Sequence, residues 1–89
     1  MSKERRRKAF CSAVARILRE ERVRRGLSMT RVAALAGLSQ QMVSYVERET
    51  RVPGLDTLLR IADALDLDVS DVVLRAGRLS GFSGVNPLA

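Results

Sequence analysis

A chain of 89 residues that is 46% apolar but only 3% aromatic has room for one small core of Leu, Val, Ile and Ala, which suits packed helices better than a sheet. With no histidine and the single cysteine Cys11, most metal sites, a Ser-His or Cys-His nucleophile and an intrachain disulfide are excluded; neither metal nor other cofactor is expected, and no paired catalytic groups suggest an enzyme. The net charge of +6 is uneven, with ten Lys or Arg against three Glu in residues 1–26 and three Arg against five Asp in residues 52–78, a distribution that suits one face for a polyanion.

Residues 1–8, a basic N-terminal extension, carry too little apolar content to dock, and are expected either to fray or to continue into the first helix. From there to residue 78 the chain reads as one helical domain. Phe10, Ala13, Val14, Ile17 and Leu18 fall at i, i+3, i+4, i+7 and i+8, an amphipathic helix that ends near Arg25 with Gly26 as its left-handed stop. Cys11, at the rim of that stripe, reads as a small packed residue kept reduced in the cytoplasm. No apolar run is long enough to span a membrane, and no apolar signal-peptide segment follows the basic start.

Two short helices follow, each announced by the same device. Ser28 can cap the second helix while Leu27 staples to Val32; Ser39 can cap the third while Leu38 staples to Val43. Gly37 between them permits the positive φ of a tight turn, so the pair reads as a helix-turn-helix. Pro53 and Gly54 break the chain before a fourth helix with Leu55, Leu58, Leu59, Ala62 and Leu65 on one stripe and Ile61 beside it. A fifth helix is expected with Ser70 as cap, Asp71 at the positive end of its dipole and Val69 stapled to Leu74. Gly77 is expected to end it, leaving residues 79–89 as a flexible tail. The fold class is therefore all-α with five helices.

Chemistry concentrates on the third helix. Met42, Val43 and Val46 group on one side, whereas Gln41, Ser44, Tyr45 and Arg48 lie at i, i+3, i+4 and i+7 on another. Solvated helix faces usually carry Lys and Glu; this one carries amides and hydroxyls, which donate and accept hydrogen bonds. Gln can pair with N6 and N7 of adenine, and Ser or Tyr can adapt to several base edges.

The run GLSMTRVAALAGLSQQMVSYVERE, with LDTLLRIADALDLDVSDVV after it, resembles the five-helix DNA-binding domain of the Cro and phage-repressor (XRE) class over about residues 10 to 75. The resemblance implies that Gln40 and Gln41 read bases at the start of the recognition helix. It places Ser39, Ser44 and Tyr45 where they can touch bases or phosphates, and it implies that Arg22 and Glu47 form an ion pair locking the first helix to the third. Phosphate ligands are expected in the backbone at Ser28 and Met29 and in the side chains of Arg48 and Arg51. The chain departs from that class twice. Met29 replaces a glutamine whose amide contacts phosphate and braces the recognition helix, roles a methionine is not expected to fill. Glu49 replaces a glycine after the recognition helix, so either Glu49 adopts a left-handed conformation or the helix ends differently.

These observations lead to the expectation of a sequence-specific regulator of transcription, a repressor or autoregulator binding double-stranded DNA as a homodimer on a palindromic operator. Val72, Val73, Ala76 and Leu79 are the expected dimer contacts, since a fifth helix rich in aliphatics at the end of a small domain suits packing against its twin. The class also resembles controller proteins of restriction-modification systems and self-repressing antitoxins. The competing reading is a protein-interaction adaptor that kept the fold and holds a protein partner through the polar helix face or the tail with Phe82; Met29 and Glu49 favour it.

Overall fold

The computed structural model describes residues 2–81. Among these residues the chain forms five helices: α1 (Lys3–Arg24), α2 (Met29–Ala36), α3 (Gln40–Glu47), α4 (Leu55–Ala64) and α5 (Val69–Ser80). The long α1 is the spine, packed along α5 on one side and against α3 on another, while α2 lies between α3 and α4. Ile17, Leu18, Val32, Val43, Val46, Leu65 and Val72 are almost fully excluded from solvent and form the centre of the core. Each contributes on the order of 1.5–3 kcal/mol by leaving water. Phe10, Met42 and Leu58 pack on its edge.

One joint recurs between consecutive helices and explains how so short a chain fixes its angles. After α1, Gly26 donates to the Val23 carbonyl and Leu27 to that of Arg22; after α2, Gly37 donates to Ala34 and Leu38 to Ala33; after α4, Asp66 donates to Asp63 and Leu67 to Ala62. These are paired 5→2 and 6→1 closures around a left-handed residue. In each joint the leucine that closes one helix immediately precedes the residue that caps the next, Ser28, Ser39 or Asp68, and all three leucines pack against the core. A single apolar side chain therefore ties the end of one helix to the start of its neighbour. Gly37 is needed in the turn: its φ is 70°, and a Cβ there would stand 3.2 Å from Arg60 Nη1.

The same rule shows where the expected elements shift. Asp68, not Ser70, caps α5: its carboxylate accepts from Ser70 N at 2.9 Å and from Ser70 Oγ at 2.6 Å. The pair Leu67–Asp68 repeats Leu27–Ser28 and Leu38–Ser39, so the apolar residue before the cap is Leu67; Leu74, expected to be stapled, is exposed. Gly77 is buried within α5, and the left-handed stop is Gly81, so Leu79 and Ser80 belong to the helix and the remaining tail, 82–89, lies outside the described residues. At the other end the basic extension continues into α1 from Lys3, capped by Ser2, whose hydroxyl accepts from Arg5 N at 3.2 Å. On α4, Leu58, Ile61, Ala62 and Leu65 face inward, but Leu55 and Leu59 face solvent. The inward arc is thus displaced toward Ile61.

Two buried acids tie elements together. Glu47 joins α3 to α1 through Arg22; Glu21, only 7% exposed, joins α1 to α5 through Arg75 at 3.2 Å and also meets Arg24 at 2.5 Å and Arg25 at 3.6 Å. The Arg24 hydrogen bond, aided by Arg75 and outweighing burial, holds the Glu21 carboxyl below its ordinary range. A lowered acid contributes fully above its unfolded-state value and loses that contribution as pH falls through the folded value. Stability measured by denaturant titration should therefore fall less steeply in Glu21→Gln than in the parent as pH drops below about 5, the upper edge of the ordinary carboxylate range. Identical pH slopes would remove this role.

Candidate nucleic-acid interface

The outward face of α3 is built from residues that the helix cannot use for its core. Val43 and Val46 are buried and Met42 packs on the core edge, which turns Gln41, Ser44, Tyr45 and Arg48 away from it. Gln40, Gln41 and Arg48 are exposed; Ser44 and Tyr45 are half-buried. Ser39 accepts from Met42 N at 3.1 Å as the α3 cap, and Ser28 accepts from Arg31 N at 3.0 Å as the α2 cap. Each hydroxyl keeps its proton and one of its two acceptor lone pairs, so capping limits the further contacts of Ser28 and Ser39 without removing them. The amide N–H groups of Met29 and Thr30, and of Gln40 and Gln41, precede the first intrahelical bond of their helices. They present donors where the helix dipoles favour negative charge.

Side chains on this face are ordered by one another. Gln41 Nε2 donates to Tyr45 Oη at 2.5 Å, leaving the Gln41 carbonyl oxygen and second amide hydrogen for another partner. The Arg51 guanidinium lies over the Tyr45 ring, 4.7 Å from its centroid, a cation–π stack. Gln41, Tyr45 and Arg51 thus form a continuous row running from amide to guanidinium. Helical spacing alone does not foretell the last contact, because Arg51 lies beyond the end of α3. It is folded back by the turn after Arg48, where Glu49 donates to Val46 and Thr50 to Tyr45.

That turn settles how the helix ends without glycine. Glu49 occupies the left-handed region at φ 62°, and the 6→1 and 5→2 bonds are the same as at the glycine joints. The conformation costs roughly 1–2 kcal/mol for a residue with a Cβ, compensated here by the closure of α3. Met29 also does more than expected. Its Sδ accepts from Gln40 Nε2 at 3.8 Å while its side chain packs on the core edge, so a thioether braces the first residue of α3, although it adds no polar group for a phosphate.

Behind the face, Arg22 grips Glu47 through both carboxylate oxygens, Nε to Oε2 at 2.6 Å and Nη2 to Oε1 at 2.9 Å, and its Nη1 donates to the Leu27 carbonyl at 2.8 Å. One guanidinium therefore joins α1, the joint before α2, and α3. Both side chains are largely buried, 13% and 5% exposed. A further brace, which sequence reading missed, is Arg60. It donates to Asp56 at 2.8 Å and to the Ala36 carbonyl at 3.4 Å, where α2 ends. The Asp56–Arg60 spacing of i, i+4 was its available signal.

The expected dimer set divides. Val72 and Ala76 have no exposed surface because they complete the core of this chain, so they are not available to a twin; Val73 and Leu79 are 43% and 55% exposed, and Leu74 joins them at 51%. Among the described residues no helix is long and apolar enough to cross a membrane.

Five helices joined in this way, with the second and third at a glycine turn and the third turned outward, define a helix-turn-helix domain. The chain belongs to the helix-turn-helix family: the family's model matches residues 18–72, more than half of its length. It is 40% identical over 52 residues to a protein of Sinorhizobium fredii (strain NBRC 101917 / NGR234) named uncharacterized HTH-type transcriptional regulator y4dL. The match covers 58% of this chain and 26% of that protein, so the chain spans about a quarter of the relative's length. No solved structure matches it.

Proposed function

We infer that the protein is a regulator of transcription that binds double-stranded DNA sequence-specifically through α3. The observation that carries this reading is the row Gln41–Tyr45–Arg51. It sets an amide with a free acceptor and donor, suited to a base edge, beside a cation suited to the backbone. The relative from Sinorhizobium fredii, by its name a transcriptional regulator, supports the same class.

In this reading Gln40 and Gln41 reach bases. Tyr45 orients Gln41, Ser44 and the Ser39 hydroxyl contribute lesser contacts, and Arg48 and Arg51 neutralise phosphates together with the Ser28–Met29 backbone, where the N–H groups of Met29 and Thr30 are open. The protein acts as a homodimer on a palindrome, its recognition helices about 34 Å apart in successive major grooves. The exposed Val73, Leu74 and Leu79 of α5 supply the apolar surface for that pairing, and repression by occupancy of an operator follows as the simplest output. An adaptor role has less to recommend it, since Met29 braces α3 and Glu49 completes its end.

Arg51→Ala tests the division of labour. It should weaken binding to matched and scrambled duplexes by the same factor and reduce the slope of log K against log salt by about 0.9, the value for one phosphate contact. Fluorescence anisotropy at several salt concentrations reads both. A loss confined to the matched duplex would instead assign Arg51 to base reading.

A further inference from the structure

We propose that the first two turns of α1 form a second DNA contact, a cationic clamp on the phosphate backbone flanking the bases that α3 faces; the proposal rests on the DNA-binding reading above. Lys3, Arg5, Arg6, Arg7 and Lys8 place five cations in six residues, with Glu4 the only acid. These turns are helical, yet the core begins only beyond them, at Phe10 and Ala13. Apart from Arg6, which is half-buried, every residue from Ser2 to Lys8 is exposed. Packing therefore gives no reason for their composition.

Electrostatics within the chain opposes it. Cations in the first turn sit at the positive end of the α1 dipole, and Lys3 with Arg7, four residues apart, repel across the helix surface. Among the described residues Glu4 meets only Lys8, at 3.6 Å with both side chains largely exposed, a pair too solvated to offset this. Lys3, Arg5 and Arg7 make no ion pair among the described residues. A polyanion relieves every one of these repulsions at once, whereas an ordinary solvated helix face interleaves the two signs.

Position selects the polyanion. Arg7 and Lys8, with Glu4, line a groove that Glu49, Arg51 and Val52 line from the chain after α3, so that three cations face two acids across it, and Arg51 is the cation stacked on Tyr45 of α3. The basic turns thus continue the row Gln41–Tyr45–Arg51 outward across the groove. A duplex held against α3 and Arg51 brings its backbone toward that end of α1. The contact carries no base information, so it adds affinity and footprint rather than specificity.

The test is a triple variant, Lys3→Gln, Arg7→Gln and Lys8→Gln, in the full chain; glutamine keeps similar helix propensity, and circular dichroism checks that the fold remains. Salt titrations on matched and scrambled duplexes should give a slope shallower by about 2–3, three lost charges at about 0.9 each. Affinity should fall equally for both sequences, and trimming the flanks of the duplex should weaken the parent more than the variant. A parent that binds with a slope unchanged in the variant overturns the clamp alone. A parent that binds no duplex at low salt overturns the DNA-binding reading and the clamp with it.

Discussion

Glu47→Ala should cost the domain about 3–5 kcal/mol, because it leaves the Arg22 guanidinium buried without its carboxylate. Arg22 is only 13% exposed and loses two hydrogen bonds, keeping one to the Leu27 carbonyl. A guanidinium keeps its proton at any working pH, so deprotonation offers no escape. A domain of this size has about 5–15 kcal/mol in all, and at about 4–8 °C per kcal/mol the melting temperature should fall by more than about 12 °C. Arg22→Met with Glu47→Leu should recover most of the loss, since replacing both partners removes the stranded charge. If the single variant melts within about 2 °C of the parent, a shift worth less than 1 kcal/mol, the pair is not what holds α1 to α3.

Gln41→Ala should lower affinity for the matched duplex by about 5- to 150-fold, the 1–3 kcal/mol expected of a bidentate amide–adenine contact, and leave scrambled DNA and the salt slope unchanged. The reason lies in the division of the face: Gln41 contributes hydrogen-bonding groups and no charge, while Arg48 and Arg51 contribute charge. Tyr45→Phe separates orientation from contact, because it keeps the ring under Arg51 and removes the hydroxyl that holds the Gln41 amide. It should lose part of the same selectivity with the nonspecific term intact. Equal losses on both duplexes for Gln41→Ala would remove the base-reading role.

Much of the fold was written in local signals. The serine caps at 28 and 39, the leucines before them, and the glycine between them fixed α2 and α3 because each acts within a few residues. Ser70 looks like the α5 cap because serine favours that position, whereas the repeated leucine-plus-cap pattern points to Leu67–Asp68, where the cap lies. Gly77 misled because a buried glycine can also serve close packing inside a helix, and here it is buried within α5. Val72 and Ala76 look like interface residues in sequence because periodicity identifies an apolar face without saying which chain covers it; the long contact with α1 uses them internally.

The candidate site was legible in its polar stripe and not in its wiring. Helical spacing brings Gln41 and Tyr45 together at i, i+4, but the stack of Arg51 on Tyr45 depends on Glu49 accepting a left-handed turn. The support of Gln40 by Met29 depends on two helices meeting. Both follow from the joints between elements rather than from helical spacing. They turn the two apparent departures, Met29 and Glu49, into supports for α3.

The most direct measurement is selection from a random duplex pool by the full chain at low salt, followed by sequencing, with Gln41→Ala run in parallel. The parent should enrich a palindromic motif with half-sites about one helical turn apart, and Gln41→Ala should lose preference at one symmetric pair of positions while retaining the others. Failure of the folded parent to enrich any motif, or an unchanged motif in Gln41→Ala, would contradict base reading through α3.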